Sequence, residues 1–387
     1  MKKRDAFRSY EGMAMRGYAK GLRAAWAFLP LLLPSCSTDS VDVDVPAGRP
    51  VSLSVYVPTP ADTRANSYYL ADGGIPVGRS IGVYGYYHDN AAWSTASTPN
   101  FMFNQEALCE DPAVDYTYAP LKYWPNETGD KLSFIAYYPY SDDTNRATTG
   151  VTPLMTTATE GLPSYQFEVK ESTADQVDFL VSKLLSNLPN GTQDVSPSGA
   201  TDRTQLTMTD RVHFVLEHAT SKVVVSIEVD EELRRDLAYY DVTRLELNNV
   251  CFTGTLSYTD GDHYAWSGQG GKKAVYNIDR STAYLLLPQP LGDDVTLTLD
   301  YSMTFNTDGT VYTYDSDGQP VATDHYTYSR TGATARPNTM VSRLTGDPVD
   351  EWLPNHVYHY HVVLRADRID FTAEVAPWGD YNWTILN

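Results

Sequence analysis

Residues 51–57 (VSLSVYV) alternate apolar and polar side chains, which is the period of a β-strand with one buried face. The apolar side chains that share one face are Val51, Leu53, Val55 and Val57. We therefore predict a first strand here. Residues 58–66 (PTPADTRAN) contain two prolines, which lack the N–H that a sheet requires, so this segment is expected to be exposed. A trypsin-like cut after Arg64 would separate the first strand from the rest of the chain.

The same alternation recurs along the chain, most clearly in residues 295–305 (VTLTLDYSMTF). Residues 131–141 (KLSFIAYYPYS) are apolar on both faces, which is typical of a strand in the middle of a sheet. Helical character is confined to residues 230–240 (DEELRRDLAYY), which predict three turns at most. Short strands and polar turns, without regular alternation of strands and helices, predict an all-β protein.

The length of 387 residues exceeds the usual size of one hydrophobic core, so two domains are expected. Residues 187–203 are rich in Gly, Pro, Ser, Asn and Asp and are the most linker-like part of the chain. We therefore predict one β-sandwich domain over residues 37–200 and a second over residues 201–387. The net charge of −20 would repel phosphate backbones and anionic lipids, which argues against nucleic acid as a partner.

The N-terminal 36 residues are predicted to be a secretory signal. Basic residues up to Arg23 precede an apolar run, residues 24–34, that is too short and too rich in proline to span a membrane as a helix. The run ends in Leu33-Pro34-Ser35-Cys36, which resembles the lipobox of bacterial lipoproteins, with Cys36 as the residue to be acylated. Export as an outer-membrane lipoprotein is the prediction, and an ordinary signal peptide with a chance cysteine is the alternative.

Cys109 and Cys251 are the cysteines that remain after the signal. A disulfide between them would be permitted outside the cytoplasm, but they lie in different predicted domains and two cysteines make no framework. We predict two unpaired, partly buried thiols.

A metal site is not predicted. Residues His356, His359 and His361 invite one, but no third ligand lies on the strand face that carries His359 and His361, and a solvated strand face explains them. Residues 315–318 (DSDG) resemble part of a calcium loop without its later glutamate, so a turn is favoured. No nucleophile, zinc-protease or phosphate-loop motif is present, and we predict neither an enzyme nor a cofactor.

Several short motifs follow one another along the chain. They are the lipobox, Thr63-Arg64-Ala65, Tyr123-Trp124-Pro125, FIAYYPYS at 134–141, VDFLV at 177–181, FVLEHATSKVVVSI at 214–227, LLLPQPL at 285–291 and EVAPW at 374–378. Their order resembles that of the fimbrillin family of Bacteroidales surface proteins. Each motif alone is weak, but together they cover nearly the whole chain after the signal.

The resemblance implies two tandem transthyretin-like β-sandwich domains of the Greek-key type. It also implies a cell-surface lipoprotein, acylated at Cys36 and held on the outer membrane by its lipid, that an arginine-specific protease cuts after Arg64. Loss of the first strand would open a groove that Val51, Leu53, Val55 and Val57 fill before cleavage. A donor strand from a neighbouring subunit would then occupy the groove, joining subunits head to tail into a fimbria, with a host glycan or protein as a further candidate ligand.

One departure from the family pattern concerns the C-terminus. Stalk subunits need a C-terminal extension to act as donors, whereas only nine residues follow Trp378 here, so a tip or anchor position is expected rather than the stalk. The alternative function is a glycan-binding surface lipoprotein that stacks sugars on aromatic rings. The candidate rings are those of exposed tyrosines and of Trp93, Trp124, Trp266 and Trp352.

Overall fold

The protein is all-β, as predicted, with two helices of four residues each among the described parts of the chain. The computed structural model describes residues 48–58, 75–111, 115–190, 211–234, 237–305, 312–314, 320–322, 336–345, 349–365 and 369–378. Residues 47–387 cluster into one compact unit.

Most strands are short. In the first half of the chain the elements are β1 (Ser52–Tyr56), β2 (Ser80–His88), β3 (Met102–Asp111), β4 (Asp115–Thr117), β5 (Lys131–Tyr138), α1 (Arg146–Thr149), β6 (Val151–Pro153), β7 (Ser164–Glu168), β8 (Leu180–Ser182) and β9 (Leu185–Pro189). In the second half they are β10 (Arg211–His218), β11 (Ser221–Val229), α2 (Glu231–Arg234), β12 (Leu237–Asn248), β13 (Thr253–Tyr258), β14 (Tyr264–Gly270), β15 (Tyr276–Asn277), β16 (Ala283–Leu286), β17 (Gln289–Pro290), β18 (Thr296–Phe305), β19 (Tyr312–Tyr314), β20 (Pro320–Ala322), β21 (Arg336–Arg343), β22 (Glu351–Trp352), β23 (His356–Leu364) and β24 (Ile369–Pro377).

The largest sheet has eight strands and contains the first one. Its order is β1-β10-β8-β5-β2-β3-β4, and β9 pairs with β5. Because β5 lies between two neighbours, the prediction that residues 131–141 include a central strand is confirmed. Its two faces enter different cores: Phe134 joins the cluster that contains β1, whereas Ile135 and Tyr137 join a second, larger cluster.

Three four-stranded sheets build the larger core together with one face of the eight-stranded sheet. Their orders are β14-β13-β7-β6, β16-β11-β23-β24 and β15-β12-β18-β21. The latter two bury alternating apolar side chains in the same cluster, such as Val225 and Tyr360 from one sheet and Leu247 and Leu297 from the other. This arrangement agrees with the period-2 pattern of residues 295–305, because the described side chains of its apolar face are buried.

The division of the chain into two domains remains a prediction, because the expected boundary lies mainly outside the described residues. Strand β10 follows that boundary in the chain, yet it pairs with β1 and β8. Strand β7 precedes the boundary and pairs with β13. The chain leaves the β1 sheet only after His218, where β11 begins in a different sheet.

The helix within residues 230–240 is short and stays within the predicted limit of three turns. It is the four-residue α2, and the chain is a strand again from Leu237. Residues at the start of β12 pair with the end of β18, for example Tyr240 with Met303. Ladder hydrogen bonds and burial in a sheet outweigh a weak local helix propensity here.

The first strand is expected to carry a large share of the stability of its core. Because Leu53 is fully buried, Leu53→Ala should lower the free energy of unfolding by about 2–5 kcal/mol, measured by urea denaturation. Leu121 is 49% exposed, so Leu121→Ala is the matched control and should change stability by less than about 0.5 kcal/mol. Equal effects of the two substitutions would contradict the assigned burial of β1.

Candidate functional site

Strand β1 is bound to the rest of the sheet by a partner far away in sequence. It runs parallel to β10, with Ser52 opposite Arg211 and Tyr56 opposite Val215. It is the terminal strand in the order of its sheet. The pairing of the other strands in this sheet therefore does not depend on β1.

The apolar face of β1 points into a closed core. The side chains of Val51, Leu53, Val55 and Val57 are 1%, 0%, 4% and 0% exposed. They share a cluster with Val212, Phe214 and Leu216 of β10, and with Trp124 and Phe134. The alternation read from the sequence thus corresponds to one buried face, and its four side chains occupy what would otherwise be an apolar groove beside β10.

A buried polar contact defines the register of β1 on the other face. Ser54 lies opposite His213 in the ladder, and its Oγ is 2.9 Å from His213 Nδ1. Both residues are at most 2% exposed. A slip by one residue would remove this hydrogen bond and turn the four apolar side chains away from their core. The position of the strand is therefore specified on both faces.

The Tyr123-Trp124-Pro125 motif holds the residues at the start of β1. The Val51 N–H donates to the Lys122 carbonyl, and the Trp124 N–H donates to the Arg49 carbonyl, each over 2.9 Å. The Arg49 guanidinium lies 5.2 Å from the centre of the Trp124 ring, a cation–π distance. The segment is therefore held at its start by residues 122–124 and, from Ser52 onward, by β10.

Close approach of the backbone is also required there. A Cβ added to Gly48 would lie 3.2 Å from Cβ of Tyr123, tighter than ordinary van der Waals contact. The Tyr118 hydroxyl donates to the Val51 carbonyl over 2.6 Å. Sequence reasoning found the motif but not its partner, because pairing between residues 49–51 and 122–124 is a tertiary contact.

The free energy gained by burying the apolar face of β1 is comparable with the stability of a whole domain. Burial of one aliphatic side chain contributes about 1.5–3 kcal/mol, so four contribute about 6–12 kcal/mol. Whole domains are stable by only about 5–15 kcal/mol. A chain that lost β1 would therefore expose an apolar groove and an unpaired β10 edge, and would be strongly stabilised by any strand that filled both.

Three of the sequence motifs meet in a second buried cluster at the end of β10. Asp178 of VDFLV contacts His218 Nδ1 at 2.9 Å and both side chains are almost fully buried. The His218 ring stacks on Trp378 of EVAPW, with centroids 3.9 Å apart and planes 5° from parallel. Lys222 Nζ lies 5.5 Å from the centre of the same Trp378 ring. We call these four residues the Asp178–Trp378 cluster.

The charged groups of the Asp178–Trp378 cluster lie in a buried contact between two parts of the fold. Burial lowers the pKa of Lys222, and the nearby Asp178 carboxylate partly offsets this by favouring the charged amine. His218 ends β10 and Lys222 belongs to β11, so the cluster joins the strand beside β1 to the sheet of β11 and β23. Three motifs that are far apart in the sequence are thus in contact in the folded protein.

The structure places a potential third metal ligand beside His359 and His361, which the sequence analysis does not predict. His359 and His361 share a face of β23, as predicted, and Glu374 on the neighbouring strand β24 faces them. The three residues each offer a ligand atom, and these atoms lie within 4.8 Å of one another. Burial, assisted by His361, lowers the pKa of His359 to about 4. A third potential ligand is therefore present, supplied across the ladder.

Of the other residues singled out in the sequence, the structure describes the two cysteines that follow the signal. Neither Cys109 nor Cys251 forms a disulfide in the described part of the chain, which agrees with the prediction, and burial raises the pKa of the Cys251 thiol. Cys36, Arg64 and the sequence at 315–318 lie outside the described residues. A helix long and apolar enough to cross a membrane was not found in the described part of the chain.

The tryptophan rings considered for glycan stacking are buried or partly buried. Trp124 and Trp352 are 2% and 1% exposed. Trp93 and Trp266 are partly buried and pack against the larger core, and the Trp266 N–H donates to the Ala219 carbonyl over 2.8 Å. Rings in these positions present little flat surface to a sugar, so the structure does not favour the glycan-binding alternative.

These features define a class of protein: an all-β fold whose first strand lies at the end of a sheet and completes a hydrophobic core. Comparison with known proteins then assigns the family. The fimbrillin-like family model matches residues 63–378, and the chain belongs to that family. The resemblance inferred from the motifs is thus confirmed.

Two relatives illustrate the similarity. The chain is 25% identical over 265 residues to fimbrium subunit Fim1C of Phocaeicola vulgatus, which covers 67% of this chain and 60% of that protein. The aligned part is thus less than two thirds of the relative's length. The crystal structure of a fimbrial protein from Bacteroides vulgatus superposes with a TM-score of 0.55 at 17% identity, covering 84% of this chain and 99% of the other. This second likeness concerns the fold.

The Asp178–Trp378 cluster is expected to contribute to stability through its buried carboxylate. Asp178→Asn keeps the shape but weakens the hydrogen bond to His218, and should lower the free energy of unfolding by about 1–3 kcal/mol in urea denaturation. Asp260→Asn is the matched control, since Asp260 also pairs with a histidine, His263, but on the surface. Its effect should be smaller, because solvent screens an exposed ion pair. A smaller effect at Asp178 than at Asp260 would show that the buried pair is not a structural contact.

Proposed function

We propose that this protein is a structural and adhesive subunit of a cell-surface fimbria that assembles by exchange of its first strand. The observation that carries the proposal is β1, which inserts four buried side chains beside β10 and is followed by a segment containing Arg64. Membership of the fimbrillin-like family supports it.

Maturation in this proposal has two covalent steps. Acylation of Cys36 holds the exported chain on the outer membrane, and an arginine-specific protease at the cell surface then hydrolyses the bond after Arg64. The cut leaves β1 without a covalent link to the chain that follows. Dissociation of β1 would free the β10 edge and the groove that Val51, Leu53, Val55 and Val57 had filled.

Strand addition from a second subunit restores what cleavage removes. Main-chain hydrogen bonds to the open β10 edge would supply affinity, and apolar side chains at alternate positions would supply register. The donor segment and the acceptor groove are different surfaces, so each added subunit leaves a new unfilled end. Such a heterologous contact extends into a filament instead of closing into a ring.

The cleavage step can be tested with an arginine-specific protease and the purified protein. We expect a new N-terminus at Ala65, followed by loss of residues 37–64 on dilution or mild heating, read by N-terminal sequencing and intact mass. Arg64→Lys should resist this protease but be cut at the same bond by a lysine-specific one. Cleavage at described arginines such as Arg79 in place of Arg64 would contradict the proposal.

Occupation of the groove can be tested with a peptide of residues 49–58 added to the cleaved protein. The peptide should bind and restore thermal stability. A Leu53→Asp peptide should bind at least about 100-fold more weakly, because burying an unpaired carboxylate costs several kcal/mol. A Ser52→Asp peptide, altered on the opposite face, should retain binding. Equal affinity of the two altered peptides would exclude insertion in the proposed register.

The same preparation distinguishes the position of the subunit in the fimbria. A stalk subunit would polymerise by itself after cleavage, visible as a ladder in light scattering and electron microscopy. A tip subunit would accept the peptide without extending, and an anchor would remain uncut on cells with its lipid at Cys36. The sequence predicts a tip or an anchor, and self-extension of the cleaved protein would contradict that prediction.

A further inference from the structure

We propose that His359, His361 and Glu374 form a binding site for a divalent transition-metal ion, with Zn²⁺ as the representative, which ties strand β24 to strand β23. Nothing in strand exchange requires this site, so it stands independently of the proposed function.

The backbone brings the three side chains together. His359 and His361 are two residues apart on β23 and therefore share a face, the one opposite to Tyr358 and Tyr360 of the larger core. In the antiparallel ladder Glu374 lies directly opposite His359. Directly opposed residues on one face have side chains close enough to act on one ion.

Distances between the ligand atoms suit a small ion after a modest adjustment. The three atoms lie within 4.8 Å of one another, and His361 Nε2 is 3.7 Å from Glu374 Oε2. Zinc bonds to nitrogen and oxygen of about 2.0–2.2 Å place such atoms roughly 3.2–3.6 Å apart in a tetrahedral site. The Glu374 side chain is 64% exposed, so it is free to rotate inward.

An outer contact already orients one imidazole for ligation. Ser226 Oγ, on the adjacent strand β11, lies 3.1 Å from His361 Nδ1. This contact engages Nδ1 and leaves Nε2 toward Glu374. Metal-binding histidines commonly have their second ring nitrogen held in this way, which fixes the orientation of the ring.

The donor set selects the class of ion. Two imidazole nitrogens and one carboxylate suit zinc and its transition-metal neighbours, whereas calcium and magnesium prefer oxygen ligands throughout. His359 is buried while His361 and Glu374 are partly open to solvent, so a fourth position remains accessible to water. The arrangement of three protein ligands with one open position is a common zinc geometry.

The location suggests what the ion would do. Strand β24 is the terminal strand of its sheet, and its ladder partner among the described strands is β23. The two histidines are on β23 and the carboxylate is on β24, so one ion would cross-link the last ladder of the sheet. Trp378, which stacks on His218, follows β24 directly. A metal ion that holds β24 in place would therefore also stabilise the Asp178–Trp378 cluster.

Zinc titration of the protein, prepared without a histidine tag and stripped with a chelator, tests the site. We expect one equivalent of Zn²⁺ to bind and to raise the thermal midpoint, with no effect of Mg²⁺ at the same concentration. His361→Gln should weaken binding at least about 100-fold and Glu374→Gln about tenfold. His356→Gln is the matched control: it lies on the same strand outside the cluster, its Nδ1 contacts the Pro354 carbonyl, and binding should be unchanged.

The exposed Glu374 keeps the test independent of folding, since its substitution should leave the zinc-free protein as stable as before. Absence of saturable binding, or binding unaffected by both His361→Gln and Glu374→Gln, would overturn the site. Amide hydrogen exchange of residues 369–377 should slow by at least about tenfold when zinc is bound. Site-specific binding without this slowing would overturn the cross-linking role.

Discussion

The burial of one five-residue strand against a partner about 160 positions away is the interaction on which this structure depends. Ser54 and His213 mark the separation, since they meet across the ladder of β1 and β10 at 159 positions' distance in the sequence. Strand β1 is too short to be stable by itself, and it is held by a core that it also completes. Removal of β1 and opening of that core are therefore the same event, and a chain of this design would need a replacement strand as soon as the first one left.

The contacts around β1 extend this dependence through the molecule. Strand β10 carries the register contact at His213, and it ends at His218 in the Asp178–Trp378 cluster. Through that cluster the strand beside the groove is packed against Lys222 and Trp378, which belong to the part of the chain built around β11 and β23. Four of the motifs that identify the family thus fall into two groups: Tyr123-Trp124-Pro125 holds the first strand, and the three motifs that contain Asp178, His218 and Trp378 meet at the far end of its neighbour.

Local patterns in the sequence predicted those parts of the fold that are decided locally. The alternation in residues 51–57 and 295–305 identified two strands and their buried faces, because a side-chain period of two has one structural meaning. Apolar residues on both faces of 131–141 correctly indicated a central strand. The weak helical pattern over 230–240 yields only the four-residue α2, because the pairing of β12 with β18, which the sequence does not display, outweighs local propensity.

Contacts between distant segments could not be predicted in the same way. The alternation predicts the strand at 51–57. It does not predict that this strand pairs in parallel with β10, or that residues 122–124 form hydrogen bonds with its start. The motif Tyr123-Trp124-Pro125 was recognised without its role. Likewise, His359 and His361 were assigned to one face of a strand, while Glu374 was missed as their partner because it lies 13 positions further along and meets them only across the ladder.

In the proposed assembly, β1 covers an edge and a groove that another strand can occupy. Amide hydrogen exchange over residues 211–218 measures that cover most directly, compared between the intact protein, the protein cleaved after Arg64 and freed of its first strand, and the assembled form. We expect slow exchange of the β10 amides that face β1 in the intact protein, fast exchange after β1 is lost, and slow exchange again on assembly. Unchanged slow exchange after loss of β1 would contradict this expectation, because β10 would then owe its protection to other contacts.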